Sequence, residues 1–123
     1  MSFYAQIAVA LIALLHFGFL ALEMFLWDKP QGMRIFGTTP EFAKQSKALA
    51  ANQGLYNGFL AAGLVWSLIP IGAPDTAKAI ATFFLICVII AGIYGAATVS
   101  SKILRVQALP AVVTLALVWM LGS

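Results

Sequence analysis

Charge is what this sequence has least of. Asp, Glu, Lys and Arg together make up 9% of its 123 residues, against about 25% in an average soluble domain. Apolar residues fill the space they leave: 63% of the chain is hydrophobic and the mean hydropathy is +1.00. A soluble fold this short has no interior large enough for that much apolar surface, which excludes a soluble enzyme or regulator. Cysteine is nearly absent, and Cys87 alone allows neither an intramolecular disulfide nor a CxxC redox pair. Histidine occurs once, as His16. One histidine gives a haem a single axial ligand, and with one nearby carboxylate it does not make a metal site, so no cofactor and no metal are expected. The basic excess is small, seven Lys+Arg against four Asp+Glu for a net charge of +3. It is too dispersed for a nucleic-acid surface.

What is present is four long apolar runs, at about 3–27, 49–71, 77–99 and 103–121. Each approaches or exceeds the roughly 20 residues a helix needs to cross a hydrocarbon core of about 30 Å. They are continuous rather than alternating, which excludes β-spans. The first run has no basic residue before it and ends in Trp27-Asp28-Lys29-Pro30 rather than at a small-residue cleavage site, so it reads as a retained helix. The expectation is an all-α integral membrane four-helix bundle, with helices at about 3–27, 40–71, 76–99 and 103–121. Repeats, low-complexity tracts and linkers are missing, so residues 1–123 read as one domain.

The connectors refine this. Residues 28–39 are polar and contain Pro30, Gly32 and Gly37, which read as breakers. Thr39-Pro40-Glu41 reads as a helix start, with Thr as N-cap, Pro at the first position and an acid in the first turn. Pro70, Gly72 and Pro74 end that helix, and Asp75 or Thr76 is expected to cap the next. Lys29, Arg34, Lys44, Lys47, Lys102 and Arg105 fall in the first and third loops, against Lys78 alone in the second. The positive-inside rule then places those two loops in the cytoplasm and both termini on the non-cytoplasmic side. The setting is a bacterial inner membrane, crossed several times, with the lipid bilayer as the surrounding partner.

Few polar residues lie within the spans, and they gather at one depth. Glu23 is near the cytoplasmic end of the first helix, and His16 is two turns earlier on nearly the same face. Helix two carries Asn52-Gln53-Gly54-Leu55-Tyr56-Asn57-Gly58, with Asn52 and Tyr56, and Gln53 and Asn57, each four residues apart. Tyr94 and Gln107 fall at the same depth on helices three and four. Polar groups in hydrocarbon need partners. One cluster in the cytoplasmic half, floored by His16, would satisfy them together, with lipid meeting the face that bears Leu60, Leu64 and Leu68. Gly54-xxx-Gly58 is a small-xxx-small pattern that lets a second backbone approach and allows a homodimer.

These segments carry a resemblance. His16-x6-Glu23-Met24, Trp27 with Pro30 and Gly32, the string from Asn52 through Gly58 continuing Phe59-Leu60-Ala61, and Gln107 with Pro110 together resemble the small bacterial membrane family catalogued as domain of unknown function 1304. The resemblance covers essentially the whole chain and implies a four-helix membrane protein of the same length. It implies no activity and no site residue.

Three functions fit the polar cluster. In the first, Glu23, Asn52, Gln53, Tyr56, Asn57, Tyr94 and Gln107 line a pocket that binds a small amphipathic molecule. In the second, His16 or Glu23 carries a proton for acid–base chemistry on a lipophilic substrate. In the third, the chain is half of a proton-coupled small transporter acting as a dimer. The first is preferred, because the outer halves of the helices are too apolar for a transport path. Acid–base chemistry would need two groups converging on one substrate atom.

Overall fold

The computed structural model describes residues 1–121, and every regular element among them is helical. In chain order these are α1 (Phe3–Met24), α2 (Pro30–Phe36), α3 (Pro40–Leu68), α4 (Pro74–Thr98), a π-helical turn (Leu104–Ala108) and α5 (Leu109–Met120). Two compact units divide the chain. One comprises residues 14–61; the other comprises residues 1–13 and the chain from residue 62 onward.

In the first unit, α1 stops at Met24, three residues short of the end of its apolar run. The chain then tightens, with the Leu26 amide donating to the Ala21 carbonyl and the Lys29 amide to the Leu26 carbonyl. The next stretch is not a polar loop. Pro30 sits at the first position of α2, where its fixed φ suits a helix and its missing N–H is not needed. Gly37 ends α2 in the left-handed region at φ 67°. Gly32 lies against the Leu26 carbonyl so closely that a β-carbon would collide with it. The expected breakers therefore bracket and pack a short helix.

Trp27 completes this corner. Its indole N–H donates to Ser46 Oγ at 3.0 Å, and its ring lies 4.9 Å from that of Phe36. An exposed ion pair joins Lys47 Nζ to Asp28 Oδ2 at 2.9 Å. The hydrogen bond from Lys47 holds the Asp28 carboxyl below the usual aspartate range. The start of α3 is as the sequence implies, with Thr39 Oγ1 accepting from the Phe42 amide at 3.2 Å.

In the second unit, α3 ends at Leu68, and the segment to Pro74 turns through Gly72 at φ 83°. The next helix begins earlier than expected. Pro74 takes its first position and Ala73 its cap, without a side-chain hydrogen bond, so Asp75 and Thr76 lie inside the first turn rather than capping it. Along α4 the buried positions are Ala81, Leu85, Val88 and Gly92, a stripe with helical spacing. It meets the segment that buries Ala108, Ala111, Thr114 and Val118. Contact is closest at Gly92, where a β-carbon would stand 3.0 Å from the Ala108 backbone nitrogen.

The expected single helix over 103–121 is interrupted at its start. Pro110 has no N–H for the carbonyl four residues back, and its ring crowds that carbonyl. The chain responds by widening one turn, so the Leu109 amide donates to the carbonyl of Leu104 five residues back.

Two helices, α1 and α4, are long and apolar enough to cross a membrane, and most of each is exposed rather than buried within the protein. The segment Leu104–Met120 is apolar but shorter. Leu64 does not lie on an exposed face as expected: it is fully buried. A small-residue stripe through Ala50, Gly54, Gly58 and Ala61 sets the inward face of α3, and Leu64 continues it one turn on.

Candidate functional site

The first unit holds a side-chain pair built on close helix approach. Gly54 and Gly58 of α3 lie close against α1. A β-carbon at Gly54 would stand 2.7 Å from Met24 Cγ and 3.1 Å from Glu23 Cβ, and one at Gly58 would stand 2.6 Å from Leu20 Cδ1. The small-xxx-small face is thus occupied by α1 of the same chain. At that separation two short side chains can meet. Asn57 Nδ2 donates to Glu23 Oε1 at 2.5 Å, joining α3 to the last turn of α1. Glu23 is 5% exposed. Its carboxyl therefore has little access to water and takes its hydrogen bond from an amide, which can donate to a carboxylic acid as well as to a carboxylate.

His16 lies two turns earlier on α1, about 10 Å along the helix axis from Glu23. It is fully buried, and its ring meets that of Phe19 edge-on at 5.2 Å. The other polar residues of α3 are turned differently. Asn52, Gln53 and Tyr56 are exposed, and Asn57 alone of the four is partly buried. The Tyr56 ring rests edge-on against Phe59. Helix geometry accounts for this: the glycine contacts fix the rotation of α3, and that rotation aims Asn57 at α1 while the neighbouring polar side chains point outward.

The remaining two predicted site residues lie in the second unit. Tyr94 is exposed. Gln107 is half-buried, and its Nε2 donates to the backbone carbonyl of Val88 at 3.0 Å. Gln107 belongs to the π-helical turn, and its amide ties that turn to α4.

The second unit also joins residues that sequence reasoning had kept apart. Trp119 Nε1 donates to Thr82 Oγ1 at 2.9 Å, and Lys78 Nζ lies 4.4 Å from the centre of the Trp119 ring. Sequence reading used Lys78 only to orient the chain. Lys78 and Thr82 are four residues apart on α4 and so share a face. That spacing was the available signal; the pairing with α5 was not.

Comparison with known proteins places these features in a wider set. Residues 10–119 match the family described as "Protein of unknown function (DUF1304)". The chain is similar to "Uncharacterized protein YpaA" of Lactococcus lactis subsp. lactis (strain IL1403), with 30% identity over 109 residues, covering 87% of this chain and 89% of that protein. No solved structure matches the chain.

Proposed function

This chain belongs to the DUF1304 family, whose description assigns no activity, and we propose from its residues that it is a multi-pass membrane protein that holds a small amphipathic molecule beside the Glu23–Asn57 pair. In this reading α1, the apolar part of α3, α4 and the segment 104–120 form one four-helix domain in a bacterial inner membrane. The low internal burial of α1 and α4 supports it, because a soluble protein's core helix of that hydropathy would be mostly buried. At 29 residues α3 is about 43 Å long, longer than the hydrocarbon core, so its polar start stands in water. The basic residues put the 28–39 and 99–103 connections in the cytoplasm and both termini outside. A cytoplasm-specific reporter inserted near Gly37 should be active and one fused after Ser123 inactive; the reverse pattern would overturn this topology.

The observation that carries the binding role is the hydrogen bond from Asn57 to the nearly enclosed carboxyl of Glu23. An acid at that depth is costly and tends to serve a function. Asn52, Gln53 and Tyr56, exposed on the same stretch of α3, offer donors and acceptors that lipid tails cannot satisfy. An amphipathic molecule with a polar head and an apolar tail would satisfy them while its tail lies among acyl chains. Native mass spectrometry of the protein extracted gently from its own membrane tests this. A retained small-molecule mass is expected; a bare chain mass under conditions that preserve lipid adducts on other membrane proteins would overturn it.

A further inference from the structure

The second unit contains a groove of about 650 Å³ that opens along α4 and is separate from the Glu23–Asn57 pair. At one end it is lined by Asp75 and Lys78 and, further along α4, by the apolar side chains of Phe83 and Ile86, with Trp119 and Thr82 on its flank. The flank is ordered by its own contacts. Thr82 Oγ1 donates to the Lys78 carbonyl at 2.7 Å and accepts from the Trp119 indole at 2.9 Å. That fixes the ring over which the Lys78 ammonium sits, at 4.4 Å. Phe83 is 62% exposed and Ile86 42% exposed, so the apolar wall is open.

Two features of the charges point to an occupant. Lys78 lies near the N-terminal end of α4, where the helix dipole disfavours a cation unless an anion accompanies it. Asp75 lines the same groove, yet among the described residues the two form no ion pair. One positive and one negative group thus stand at the mouth of an apolar trough without neutralising each other.

We propose that this groove binds a phospholipid of the phosphatidylethanolamine type. Its phosphate would meet the Lys78 ammonium, its primary ammonium would meet the Asp75 carboxylate, and an acyl chain would lie along Phe83 and Ile86. The charge pattern distinguishes this lipid from its neighbours in a bilayer. Phosphatidylglycerol has no cation for Asp75, and phosphatidylcholine has no N–H to donate to it. The proposal rests on the membrane reading above but not on the Glu23 site.

The test reconstitutes the full chain in nanodiscs of equal parts dioleoyl phosphatidylethanolamine, phosphatidylglycerol and phosphatidylcholine, and counts retained lipids by native mass spectrometry. Wild type is expected to enrich phosphatidylethanolamine about fivefold over either competitor. Asp75→Asn and Lys78→Gln should each abolish the enrichment, while Glu23→Gln should leave it unchanged. Equal retention of the three lipids would overturn the proposal. So would a preference for phosphatidylglycerol that falls with Lys78→Gln and survives Asp75→Asn, which would mark a simple anion site. Loss of the enrichment in Glu23→Gln would show that the retained lipid belongs to the other site.

Discussion

The two units use the same device to different ends. Each brings two helices together at glycine and spans the contact with a side-chain amide. In the residue 14–61 unit, Gly54 and Gly58 admit α1, and Asn57 reaches the carboxyl of Glu23. In the other unit, Gly92 admits the Ala108 backbone, and Gln107 reaches the Val88 carbonyl. The difference lies in the acceptor. A backbone carbonyl within α4 already accepts a helical hydrogen bond and cannot titrate, so Gln107 acts as an interhelical tie. A carboxyl can hold or release a proton and can exchange its partner, so the Asn57 contact joins chemistry to packing.

The largest expected effect lies in the tie rather than in the site. Gly92→Leu places a side chain against the Ala108 backbone, which a rotamer change cannot relieve, and should cost about 3 kcal/mol. A fall of thermal midpoint in detergent larger than for any other variant here would verify it, and a midpoint like wild type would mean that α4 and the π-helical turn are not held as described. Next comes Glu23→Leu, which leaves the Asn57 amide without its acceptor in a dry setting and should cost about 1–3 kcal/mol. Glu23→Gln keeps an acceptor oxygen and should lie close to wild type. If the two variants unfold together, the hydrogen bond contributes nothing to stability.

Why one amide found a carboxyl and the other a backbone is only partly written in the sequence. Depth alone put Glu23 with the amides of helix two, because polar groups in apolar spans must satisfy one another. Which amide would reach it depended on the rotation of α3, and that rotation follows from Gly54 and Gly58 meeting Leu20 and Met24. The same blind spot put Leu64 on the wrong face. The ends of the helices show a second limit. Thr39-Pro40 was legible as a start because cap and proline agree in direction. Pro30, Gly32 and Gly37 were not, since a proline that stops one helix and a proline that starts another look alike until the partner surface is known. Pro110 is the third case: its consequence depends on the helix continuing through it, which is a matter of packing against α4.

Smaller effects sharpen the contrast. Gln107→Leu removes a hydrogen bond whose acceptor keeps its helical partner, so it should cost about 0.6 kcal/mol, the average for such ties in membrane proteins. A loss as large as that of Glu23→Leu would erase the distinction between the two amides. Smallest of all is Lys47→Met. Its pair with Asp28 is exposed, and only a slight fall in midpoint is expected at neutral pH. The pair holds the Asp28 carboxyl below its ordinary range, so its contribution is present above pH of about 4 and fades as pH falls through the lowered value. Acid titration of the midpoint should therefore be slightly flatter in Lys47→Met. A difference that grows toward alkaline pH would contradict the assignment.

The central claim is that the Glu23 carboxyl is used for binding, beyond its share in holding α1 to α3. The most direct measurement is native mass spectrometry of Glu23→Gln beside wild type, extracted from the same membranes, with thermal midpoints taken on the same samples. The predicted result is equal stability, with a small-molecule mass other than phosphatidylethanolamine retained by wild type and lost from Glu23→Gln. That same mass on both proteins, at equal stability, would contradict the claim and leave the Glu23–Asn57 pair as a second interhelical tie.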